Sequence, residues 1–210
     1  MVRTAYFAAA AVSTLILLLT SDASACHNGI AFDVDAAVRR VSGAERMLER
    51  GRTGPALRAA GTTLDRMRRN RAARRHRGTA TRAQQIIAIA VIRAEGRVDL
   101  QRHRVVPTIT PLQRKRNIRW AVDLLDRLRR DRPALDARFA EGLGLLDERR
   151  AEGLRILREL SADDLLPDAW AYRALANLEL AEGEASRAQS ARDECRRRAR
   201  NRANQICIAP

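Results

Sequence analysis

The stretch Ala169-Trp-Ala-Tyr-Arg-Ala-Leu-Ala-Asn-Leu-Glu-Leu-Ala-Glu-Gly183, followed by Glu184-Ala-Ser-Arg-Ala-Gln-Ser-Ala-Arg-Asp-Glu-Cys195, reads as two helices joined at a glycine. Ala, Leu, Arg and Glu are strong helix formers, and apolar residues recur at spacings of three and four. The same arrangement stands 35 residues upstream, where Leu143, Gly153, Leu157 and Leu160 correspond to Leu178, Ala188, Arg192 and Cys195. A period in the mid-thirties is the length of one helix-turn-helix unit. One such unit cannot bury its apolar face alone, so residues 134–200 predict two hairpins stacked on each other and on whatever precedes them.

The last unit resembles a tetratricopeptide repeat. Tyr172, Leu175 and Ala176 fill the aromatic, Leu and small-residue positions of helix A, Gly183 falls at the turn, and Ala188 takes the small position of helix B. Three positions depart from the pattern: Glu179 replaces an aromatic, Arg192 replaces a large apolar residue, and the closing Pro is missing. Upstream, Ala121, Leu125, Leu128 and Pro133 stand at helix B offsets, with a helix A at 83–95 ahead of Gly96. Val34, Val38, Val41, Met47 and Leu48 mark one more amphipathic helix, and Leu57, Ala60, Leu64 and Met67 its partner, with the turn at Gly51 to Pro55. The resemblance implies an all-α, right-handed solenoid of about four antiparallel hairpins, near 34–76, 81–131, 134–160 and 169–200, with a tail at 201–210. It further implies a binding or assembly scaffold and not an enzyme.

Residues 1–25 have the form of a secretory signal: Arg3, an apolar run from Ala8 to Leu19, and Ala23-Ser24-Ala25 as a small-x-small cleavage site. That run is short for a membrane span, which needs about 20 apolar residues, and no second run of its length follows. The expectation is an exported protein, periplasmic or secreted, with no transmembrane segment in the mature chain. Residues 26–33 form a linker. Cys26 is the first residue after the cleavage site, the place where a bacterial lipoprotein carries its acyl chains, although Ala23 stands where Leu is usual.

Three cysteines are an odd number for an oxidising compartment. Acylation of Cys26 would leave Cys195 and Cys207 as a pair that ties the tail to the last helix. The alternatives are Cys195 as a small buried residue on the stripe Ala188, Ala191, Cys195, or a bond from Cys26 to either of the others.

The formal net charge is +15, unevenly spread: residues 134–185 hold 6 Arg against 12 Asp and Glu, leaving the flanks strongly basic. The basic residues gather at 66–77, 114–119 and 192–202. Arg66, Arg68, Arg69, Arg71, Arg74, Arg75 and Arg77 follow the last large apolar residue of their helix, Met67, and predict a projecting helix end and loop. With Arg114, Lys115 and Arg116 they are candidates for holding a protein partner, or an anionic lipid or glycan, by guanidinium contacts. The alternative reading, and the one this Arg-rich composition favours, is a solvated surface. Nucleic acid is disfavoured, because the clusters lack interleaved aromatics for base stacking.

Catalytic chemistry is not legible. His27, His76 and His103 lie far apart, and no nucleophile–base pair, carboxylate pair or metal-spaced set occurs, so no catalytic residue, metal or cofactor is expected. Ile86-Ile-Ala-Ile-Ala-Val-Ile92 is apolar throughout and would suit a buried strand, but it reads as a central buried helix because Thr81 can cap it and Arg93-Ala-Glu-Gly96 ends it. Residues 98–111, with two Pro, read as an irregular insertion. Trp120 and Trp170 read as residues at helix starts.

Overall fold

A computed structural model of the chain describes residues 33–70, 72–130 and 132–208. The leader of residues 1–25, Cys26 with the linker as far as residue 32, Arg71, residues 209–210 and the side chain of Arg74 lie outside the described residues.

The fold is all-α apart from one small ladder. Its helices are α1 (Val34–Glu49), α2 (Thr53–Arg69), α3 (Arg77–Arg93), α4 (Pro111–Arg129), α5 (Asp136–Leu143), α6 (Arg150–Ala162), α7 (Ala169–Ala181) and α8 (Ala185–Ala199). Each helix packs on the next along the chain, and α1, α3, α5 and α7 also touch in succession. The odd-numbered helices thus form one layer and their partners a second, an arrangement of stacked hairpins that is compatible with a helical repeat. No described helix is long and apolar enough to cross a membrane.

Local sequence explains these elements. In α1 the buried line is Ala37, Val41, Ala44 and Leu48, one face of a 3.6-residue period, with Val34, Val38 and Met47 half-buried beside it. Leu57, Ala60, Leu64 and Met67 of α2 close over it. At the turn, Arg52 N–H donates to Met47 O and Gly51 N–H to Leu48 O, with Gly51 at φ 77°, the geometry that ends a helix with a glycine.

The apolar run of α3 is buried on every side, from Ile86 to Ile92, because α2, α4 and α1 all pack against it. The helix begins at Arg77, after a 3₁₀ turn at Ala72–Arg75, and Thr81 lies inside it: the cap position falls on His76, at φ −97° and ψ 52°, whose side chain makes no cap bond. Similarly, α4 starts at Pro111 with Thr110 Oγ1 accepting from Gln113 N–H, which places Trp120 midway along the helix and exposed, not at its start.

The insertion at 98–111 contains a two-residue antiparallel ladder, β1 (Val98–Asp99) with β2 (Arg104–Val105). It lies against α2. Buried Asn117 holds its base, donating to Gly96 O at 2.9 Å and Val98 O at 2.8 Å while accepting from Gln113 at 2.9 Å.

Two apolar cores run through the stack, one from α1 to α5 and a second from α5 to the tail, with Ile156 packed on both. Beyond α8, Arg200 at φ 54° turns the chain into a single helical turn, Ala203–Ile206. Cys195 and Cys207 are disulfide-bonded, and Ile206 is buried.

Candidate functional site

The layer of odd-numbered helices presents a cavity of about 270 Å³ lined by α3, the end of α5 and α7. Helix α7 contributes Trp170, Arg173, Ala174, Asn177 and Ala181, positions separated by three or four residues or by two turns, hence one face. Its opposite face, Tyr172, Leu175, Ala176 and Glu179, is buried. Ile92, Leu145 and Leu178 complete an apolar floor, and Leu145 is 39 % exposed there.

Arg93, Glu141 and Trp170 of this groove belong to an ion network that continues through Arg138 and Asp168, which line a neighbouring cavity. Asp168 caps α7, its Oδ1 accepting from Trp170 N–H at 3.0 Å and Ala171 N–H at 3.3 Å. The same carboxylate accepts from both terminal nitrogens of Arg138, Nη1 and Nη2, and Nη1 also donates to Glu141. Arg93 donates to Asp168 at 3.3 Å and to Leu48 O at 2.7 Å, and its guanidinium lies 4.7 Å from the centroid of Trp170. Residues of all four hairpins therefore meet here.

The electrostatics follow from burial. Arg93 has only 4 % of its side chain exposed; that burial, with Arg138 nearby, brings its pKa down to about 10. Burial also opposes the charge of Asp168, but the Arg138 ion pair outweighs it and holds this carboxyl below its usual value. Removing ionised groups from water costs several kcal/mol each unless partners compensate. Here each charge has a partner of opposite sign, and the Nε of Arg93 and Nε1 of Trp170 remain as buried donors with no protein acceptor.

Of the charged groups in the groove, Glu141 is held by Arg138, Glu95 by Arg97 and Arg114, and Arg150 by Asp147. Arg173 stacks 5.3 Å from the Trp170 centroid and, among the described residues, forms no ion pair. The groove therefore offers donors and apolar surface. Among the described residues, no group of three or more His, Cys, Asp or Glu side chains is placed to hold a metal ion.

The basic residues singled out in the sequence separate into different environments. Arg114 reaches back to Glu95, through its O at 3.2 Å and its carboxylate at 3.3 Å. Lys115 and Arg119 share Glu148, at 2.9 Å for Lys115, and these two contacts, Arg119 first, bring the exposed Glu148 carboxyl down to about 2. Arg116 is exposed. In the last cluster, Arg196 pairs with Asp193, Arg197 with Glu194, and Arg198 with Glu194 and Asp164. Arg66, Arg68, Arg75 and Arg77 are exposed and have no ion pair among the described residues, while Arg69 Nε donates to Asp65 O at 3.4 Å.

Sequence reasoning named Trp170 but missed Arg93, Arg138, Glu141 and Asp168. One signal was present: Arg138 and Glu141 interrupt the otherwise apolar run 137–143 at the i, i+3 spacing of an ion pair. Glu179, which breaks the repeat pattern, is buried and held by Arg158 at 2.8 Å, the contact that lowers its pKa.

No protein-family model, no curated protein and no solved structure matches the chain.

Proposed function

We propose that this chain is an exported, non-enzymatic scaffold of the tetratricopeptide type, a right-handed solenoid of four hairpins that binds a protein partner in the cell envelope of a bacterium. The groove between α3, α5 and α7 carries this proposal. It has an apolar floor, it is lined by one face of α7, and Arg93 and Glu141 in its lining belong to a network that ties all four hairpins together. A groove whose lining is cross-linked in this way is preorganised, which lowers the ordering cost of binding. Its acids are engaged by the protein's own arginines, whereas Arg173 and Asn177 face the cavity with donors to spare. A polypeptide segment, rich in carbonyl acceptors and apolar side chains, suits that surface.

The test is capture from nuclease-treated envelope extract on the exported chain and on its Arg173→Glu variant, with elution by stepped salt. One protein retained above about 0.5 M salt, where attraction between exposed charges is strongly screened, and lost with Arg173→Glu, is the expected outcome. Equal retention on both forms, or release of only nucleic acid, lipid or glycan at low salt, would refute the groove as the binding surface.

A further inference from the structure

The geometry points to a membrane-facing end on the first hairpin: the exposed guanidinium groups of Arg66, Arg68, Arg75 and Arg77 rest on an anionic lipid surface beside the point where the chain from Cys26 enters the fold. It does not depend on the groove.

Two observations carry it. Three basic clusters stand in the sequence; at 114–119 three of the four cations, Arg114, Lys115 and Arg119, pair with acids, and at 192–202 three of the six do, Arg196, Arg197 and Arg198. Arg66, Arg68, Arg75 and Arg77 are exposed with no ion pair among the described residues, and Asp65, the acid nearest them on α2, faces His103 at 3.5 Å. A patch of uncommitted arginines is what attracts an anionic surface.

The second observation is topological. Helix α1 runs away from its first residue, Val34, α2 returns, and a short 3₁₀ turn leads into α3. Arg82 of α3 bonds Glu45 at 2.9 Å and Ser42 at 3.1 Å, and Arg93 bonds Leu48 O, so α3 runs parallel to α1. The start of α1, the end of α2 and the start of α3 therefore share one end of the hairpin, and the four arginines lie there. Cys26 precedes Val34 by eight residues in the sequence. An acyl chain on Cys26 and a basic patch at that end would act on the same surface, and two such signals together give stable anchoring where one does not. Residues 66–77 contain no Phe, Tyr or Trp, so bases have no stacking platform there.

The experiment is co-sedimentation of the exported chain, carrying Cys26→Ser so that no acyl group adds to binding, with lipid vesicles at about 0.1 M salt. Vesicles of phosphatidylcholine alone are compared with vesicles containing roughly 30 % phosphatidylglycerol. Binding only to the anionic vesicles is expected. Changing Arg66, Arg68, Arg75 and Arg77 together to Gln should lower partition at least about tenfold, since each cation near the surface contributes several-fold. The same change at Arg114, Lys115, Arg116 and Arg119 removes equal charge and should leave partition within about threefold. Arg77→Glu places an acid in the first turn of α3, which favours the helix, and should lower partition with the fold kept. Equal loss in both fourfold variants, no binding to anionic vesicles, or displacement by a single-stranded oligonucleotide at micromolar concentration would overturn the proposal.

Discussion

A Cβ built on Gly61 would lie 2.1 Å from Cγ of His103, so the imidazole at the tip of the 98–105 hairpin rests directly on the backbone of α2. His103 reaches this place with φ at 48° and with Nδ1 3.5 Å from Asp65. The glycine is thus a contact residue in the middle of a helix, accepted despite the loss in helix propensity, about 1 kcal/mol relative to Ala.

Gly61→Ala should therefore destabilise the protein by about 1 to 2 kcal/mol, overpacking outweighing the gain in propensity. In His103→Ala the pocket is empty, and adding Gly61→Ala to it should be stabilising. Urea unfolding of the four-member cycle measures the reversal in sign; additive effects would mean the two residues do not touch.

Breaking the buried network at Arg138 should cost about 3 to 5 kcal/mol, because Arg138→Met leaves Glu141 and Asp168 without their main partner. Exposed pairs behave differently: Arg155→Ala removes a contact to Glu159 that is 61 % and 59 % exposed on its two sides, and should change stability by less than about 1 kcal/mol. Denaturant midpoints of the two variants give the comparison.

Acid should unfold the chain over a defined range. Asp168 and Glu179 have carboxyls held below their ordinary 3.8 and 4.5, and Glu148 lies at about 2. A depressed carboxyl contributes stability above its unfolded value and loses it as pH falls through the folded value. Stability should be flat near neutrality, then decline from about pH 4.5 towards pH 2. Arg158→Gln, which removes the partner of Glu179, should make that decline shallower in a series of unfolding curves against pH.

Reduction of the Cys195–Cys207 bond, which spans 12 residues, should lower stability by about 3 kcal/mol in the chain-entropy account. Arg202 donates to Glu49 O at 2.7 Å, joining the tail to the first hairpin. Amide exchange should therefore rise at residues 203–207 and also around 48–52 when Cys207→Ser is made. A rise confined to the tail would show that the bond closes only a local loop.

Much of the architecture was legible because helix formation is local. The stripe Leu57, Ala60, Leu64, Met67 and the 35-residue offset between Leu143 and Leu178 needed only spacing to be read, and both sets are buried. Where the offset pairs diverge, position in the stack is the cause: Leu157 is fully buried by the hairpin that follows it, while its counterpart Arg192 lies on the last described helix of the stack and is half-exposed. The run Ile86–Ile92 was ambiguous between strand and helix, since a segment apolar on all sides has no periodicity to measure.

From the sequence alone came helical hairpins, their turns at Gly51 and Gly183, and where the arginines cluster along the chain. The sequence also placed Cys195 and Cys207 as one of several pairings. Tertiary structure alone decided which arginines meet acids and which face solvent, and it alone assembled Leu48, Arg93, Arg138 and Asp168 at one point. Those partners lie up to 75 residues from Arg93, and the attraction between two charges depends on their distance and burial, which the stacking of whole helices sets.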